Sequence, residues 1–177
     1  MGRFSIGSTF KLRDRRFYGL RGFEGKPLHP PFTDIPVGAY VIAPVLDVVG
    51  FIGRDEPWGH DLFVAAGYTL LAGAIGSLFA VLTGFVDWLK MRPGSEVRRI
   101  TNSHFLAMVI TNVLVGTDLL VRRNVDEEVT TAGVMVLSLA VLLVMTFGAA
   151  IGGSLVFDKG YRVRMRQAGG AEADQAP

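Results

Sequence analysis

Four long stretches of the chain carry almost no charge, and short polar segments separate them. They run from about residue 35 to 53, 62 to 86, 105 to 121 and 132 to 157. Asp47 interrupts the first and Asp118 falls near the end of the third; the second and fourth hold no charged residue. Crossing the hydrocarbon layer takes about 20 apolar residues in a helix. Inside lipid the backbone must satisfy its own hydrogen bonds, so stretches this long predict helices. The pattern predicts an all-α, polytopic membrane protein: a four-transmembrane-helix bundle over residues 27–166. A basic arm (1–26) precedes it and a small, polar, disordered tail (167–177) follows.

Local signals sit at the block edges. Asp34 with Pro36 suits a first helical turn, and Asp61, Asn102 with Ser103, and Thr130 with Thr131 are cap formers ahead of blocks two, three and four. Pro93-Gly94 breaks the chain between blocks two and three. Gly73 and Gly76 in block two, and the Gly148-x-x-x-Gly152 spacing in block four, allow close helix approach within the bundle or between copies. Blocks one and three are shorter and carry an aspartate, while two and four are longer and uncharged. The chain therefore reads as two copies of a helical hairpin in parallel orientation, the alternative being a chance likeness of membrane helices.

Charge adds direction. All Lys and Arg except Arg54, Arg122 and Arg123 lie in the arm, in the loop between blocks two and three, or in the tail. The other two loops carry Asp55, Glu56, Asp61, Asp126, Glu127 and Glu128. Basic segments stay cytoplasmic during insertion, so this alternation predicts an inner-membrane protein with both termini in the cytoplasm. It also accounts for the pI of about 9.1 without nucleic acid. Residues 1–26 mix basic residues with aromatics and lack the continuous apolar core of a signal peptide, which predicts an interfacial or partly disordered arm. Cysteine is absent, which excludes disulfides, thiolate metal sites and cysteine nucleophiles.

The few polar residues beside or inside the blocks are where chemistry would sit. The expected topology gathers His29, Asp34, Asp87, Trp88 and His104 near the cytoplasmic rim. Histidines with carboxylates suit a divalent metal or a proton relay; the structural alternative is a set of caps and anchors with Asp87 holding a histidine. Asp47 and Asn112 fall at similar depth and form a candidate intramembrane pair, either a functional site or a helix–helix hydrogen bond. Asp118 reads as interfacial. His104, Met108, Thr111, Asn112, Val115 and Asp118 share one helical face, which should look into the bundle.

The run Gly25-Lys26-Pro27-Leu28-His29-Pro30-Pro31-Phe32-Thr33-Asp34-Ile35-Pro36-Val37-Gly38, then Thr83-Gly84-Phe85-Val86-Asp87-Trp88, His104 and Asn112, resembles a bacterial membrane family known as domain of unknown function 2231, over about residues 25–165. The resemblance implies four transmembrane helices and no established activity. It also implies a hint of electron transfer, since some relatives appear beside Rieske-type iron–sulfur domains, though no such domain or cysteine is present here.

No nucleophile motif, phosphate loop or dinucleotide fingerprint is present. The leading expectation is therefore an integral membrane protein with an accessory or binding role, in contact with the lipid bilayer and with a membrane protein partner or a second copy. The alternatives are a redox subunit binding haem b or quinone, and a small ion or proton pathway. Against haem stands the placement of His29 in a Pro-rich segment ahead of its helix, an unusual origin for an axial ligand.

Overall fold

A computed structural model describes residues 11–12, 15–125 and 128–163. Four helices dominate it: α1 (His29–Ile52), α2 (Pro57–Leu89), α3 (Glu96–Arg122) and α4 (Ala132–Phe157). All four are long and apolar enough to cross a membrane. Successive helices run up and down. α1 packs on α2, α3 on α4, and the α1–α4 and α2–α3 contacts close the bundle. The start of α1, the α2–α3 loop and the end of α4 thus share one end, called here the termini end; the α1–α2 and α3–α4 turns form the loop end.

Three helices outrun their apolar blocks. α1 opens at His29 rather than near residue 35, because Pro30 and Pro31 lack N–H groups where a helix has no use for them. Asp34 is therefore one turn inside the helix and caps nothing. Pro36 and Pro44 lie within α1. α2 begins at Pro57, ahead of Asp61. α3 begins at Glu96, where Ser95 and not Asn102 or Ser103 supplies the cap: Ser95 Oγ accepts from Arg98 N at 3.2 Å. Polar residues remain helical beyond the hydrocarbon, so hydropathy marks the span and not the helix. At α4 the two coincide, and Thr131 Oγ1 accepts from Val134 N at 3.3 Å.

The arm is partly built. β1 (Lys11–Leu12) pairs antiparallel with β2 (Arg15–Arg16), a short 3-10 turn follows at Gly19–Arg21, and this turn packs on α2. Phe17 and Phe23 pack with ring centroids 4.9 Å apart and planes tilted by 47°. The expected disorder of residues 167–177 lies outside the described residues.

The interior is small and polar and the exterior large and apolar. Ala39, Tyr40, Ala43, Ala66, Leu70, Val115, Val141 and Met145 form the packed centre. Asp47 and Asp118 are 0% exposed, whereas Leu143 is 71% and Phe147 67% exposed. In water that arrangement would waste the hydrophobic effect; in lipid the tails solvate the outer leucines and phenylalanines, and polar groups have to look inward. Gly73 is required by close packing, since a Cβ there would come within 2.6 Å of the Tyr40 ring. The Gly148/Gly152 pair likewise faces α3 within the same chain, against Met108, Ala107 and His104.

Candidate functional site

Two histidines meet inside the termini end. His29 is the first residue of α1 and His104 lies two turns into α3. Their ring centroids are 6.2 Å apart and their planes nearly perpendicular, at 80°. Each is anchored in the same way by the other helix of its hairpin. His29 Nδ1 lies 2.9 Å from the Ala80 carbonyl oxygen, and His104 Nδ1 lies 2.8 Å from that of Gly148. A carbonyl only accepts, so each Nδ1 carries the hydrogen, and in the neutral ring each Nε2 holds the lone pair.

One turn further along, a glycine makes room for each ring. A Cβ at Gly84 would sit 2.8 Å from His29 Cε1, and one at Gly152 would sit 2.8 Å from His104 Cε1. The histidine, carbonyl and glycine therefore occur twice, with carbonyl and glycine four residues apart in both α2 and α4. Both rings are half-buried.

Of the other expected rim residues, Asp87 lies near His29 without bonding it, and Trp88 and Asp34 lie apart from the rings. Asp87 makes no hydrogen bond to a histidine. It is claimed by arginines from both ends of the chain: Arg21 Nε donates at 3.0 Å, and Arg162 Nη1 donates to the same oxygen. Burial, then the Asp87 charge, raises the nearby Tyr161 phenol above its usual range and keeps it protonated. Trp88 is half-buried and faces α3 rather than the histidines. Its Nε1 donates to Asn102 Oδ1 at 2.8 Å, and the Arg98 guanidinium stacks 3.5 Å over its ring. Asp34 is exposed on the outer face of α1 and joins no cluster.

A second polar centre occupies the loop end and corrects the pairing of Asp47 with Asn112. Asp47 Oδ2 accepts from Arg122 Nη2, and Asp47 Oδ1 accepts from Thr130 Oγ1 at 3.5 Å. Arg122 Nε also donates to Asp118 Oδ1 at 2.6 Å, and its Nη1 donates to the Phe63 carbonyl at 3.3 Å. Asn112 instead accepts from Ser77 Oγ at 2.7 Å and donates to its own helix at Met108 O. Asp118, one turn before the end of α3, is fully buried within the bundle. The physical reason that Asn112 does not pair with Asp47 is depth: it bonds Ser77, which also neighbours Tyr40, about two helical turns before Asp47, so the amide lies too far along the bundle to reach that carboxylate.

Arg122, Arg21 and Arg162 are the members of these polar centres that sequence reasoning missed. One usable signal existed: Asp118 and Arg122 stand four apart, the spacing of a helical ion pair. Reading Arg122 as a loop charge hid it. The pairing of Asp87 with arm and tail had no local signal.

Among the described residues, no group of three or more His, Asp or Glu is arranged to hold a metal ion. The histidine pair by itself offers two imidazole nitrogens that make no hydrogen bond among the described residues.

Residues 25–165 match the family model described as "Predicted membrane protein (DUF2231)". No curated protein and no solved structure matches the chain. With the match spanning most of its length, and with four helices able to cross a membrane, the chain belongs to the DUF2231 family of membrane proteins.

Proposed function

We propose that this protein is a membrane electron-transfer subunit that holds one b-type haem between His29 and His104. The observation that carries the reading is the pair of imidazoles 6.2 Å apart, each with Nδ1 spent on a carbonyl. Metal–imidazole bonds are about 2 Å long, so two rings on opposite faces of one metal have centroids about 6.3 Å apart. A hydrogen bond from the second ring nitrogen to a carbonyl is also the usual way a ligating histidine is oriented.

The ligand count favours haem over a bare ion. A structural zinc takes four protein ligands and a catalytic one takes three, whereas haem iron brings four nitrogens of its own and asks the protein for two axial ligands. Facing helices of a bundle are a common place to supply them. The objection from the Pro-rich segment falls away, since His29 stands on α1 itself. Nearby, Arg21 and Arg162 outnumber the Asp87 they share, and the resulting positive rim suits the propionates of haem. That rim, with the basic loop and tail, is the end we assign to the cytoplasm of an inner membrane.

The test is the absorption spectrum of the full chain, purified in detergent from cells supplied with haem and again after titration with hemin. The expected result is a low-spin bis-histidine spectrum that is lost in His29→Ala and in His104→Ala alike. A protein that stays colourless and leaves hemin's spectrum unchanged would remove the reading.

A further inference from the structure

The loop-end cluster has an unbalanced charge count. Arg122, its side chain 5% exposed, lies between Asp47 and Asp118, both 0% exposed. Two carboxylates against one guanidinium leave one negative charge too many in a place that water does not reach. The oxygens differ in how they are satisfied. Asp47 Oδ2 faces Arg122, and Asp47 Oδ1 faces Thr130. Asp118 Oδ1 faces Arg122 Nε, while Asp118 Oδ2 is buried with no hydrogen-bond partner. An ionised carboxylate oxygen left bare in an apolar interior is strongly unfavourable; a protonated one is not.

We propose that Asp118 is a proton-binding site within the membrane, carrying its proton on Oδ2 at neutral pH. The proton cancels the excess charge, so Asp47 and Arg122 form a balanced pair and Asp118 stays beside them as a neutral acid. Every element packed there fits this assignment. α1 contributes Asp47, α2 the Phe63 carbonyl and ring, α3 Arg122 itself, and the segment before α4 the hydroxyl of Thr130. Arg122 is the cluster's cation, and it is already shared. The site is independent of the histidine pair, which lies at the opposite end of the bundle.

Infrared spectroscopy of the full chain in lipid nanodiscs reads the proton directly through the carbonyl stretch of a buried carboxylic acid. The expected result at pH 7 is an acid band that shifts in heavy water, disappears completely in Asp118→Asn, and reappears at an altered frequency in Asp118→Glu. Asn copies the shape of a protonated aspartate, so thermal unfolding of Asp118→Asn should match the parent. Should that variant fail to fold, the displaced band of Asp118→Glu still assigns the acid. Three outcomes overturn the proposal: no acid band at pH 7, a band unchanged in both variants, or a band that appears only once sodium is removed, which would make the site a cation site.

Discussion

The two ends of the bundle bury polar groups in opposite ways. At the loop end, an ion pair and a second carboxyl group are packed together: Arg122 joins α3 to Asp47 of α1 and to the Phe63 carbonyl of α2, with Asp118 one turn before it on α3. At the termini end, two imidazoles are each fixed by a single carbonyl, and the other ring nitrogen makes no hydrogen bond among the described residues. The first arrangement is demanding, because a charge that loses its partner in a low-dielectric interior has nowhere to go. It fixes which helices must be neighbours and leaves little freedom. The second asks little of the fold and keeps two ligand atoms available. The lesson is that the two ends handle buried polarity differently: one ties three helices together through a guanidinium, and the other holds each ring by one backbone bond.

If the loop end does hold the fold, Arg122→Met should be the most damaging single change. It leaves Asp47 buried without its cation and Asp118 without its Arg122 donor, and should lower stability by roughly 3–5 kcal/mol in detergent unfolding. Adding Asp47→Leu and Asp118→Leu should recover most of that loss, since an apolar cluster needs no counter-ion; no recovery would mean that Arg122 acts through packing alone.

The next effect belongs to the termini end. Asp87→Asn should release Arg21 and Arg162 together and cost on the order of 1–3 kcal/mol. Limited trypsin digestion should then cut the arm near Arg21 faster than in the parent, while helix content stays unchanged.

A milder change probes the histidine pockets. Gly84→Ala and Gly152→Ala each place a methyl against an imidazole and should destabilise by about 1–3 kcal/mol through overpacking. The two should be alike, because the contact is repeated. A large difference would show that the halves are not equivalent in solution. Smallest of all, Ser95→Ala and Thr131→Ala remove one cap at each end of the bundle and should each cost about 1 kcal/mol, measured by thermal unfolding.

Much of the fold was legible in the sequence, because lipid writes a simple rule: twenty or so apolar residues in a row have few other uses. The start of α4 was readable to the residue from Thr131. The starts of α1 and α3 were not, since His29-Pro30-Pro31 and Glu96-Val97-Arg98 carry no hydropathy signal although they are helical. His29 and His104 could be named, and placed at one depth, by counting along the chain. Their contact with Ala80 and Gly148 could not, because it depends on helix rotation. Asp47 was recognisably out of place, but its partner lies 75 positions away, past two turns. Sequence spacing reveals partners within one helix, such as Asp118 and Arg122; partners across helices emerge from packing.

Arg21 and Arg162 grip one oxygen of Asp87 from opposite extremities of the polypeptide. During synthesis the first strap can close as soon as α2 is inserted, but the second cannot close until translation has passed α4. A chain cut short after its last helix would therefore keep only one of the two arginines on that carboxylate, and the arm alone would hold the rim together.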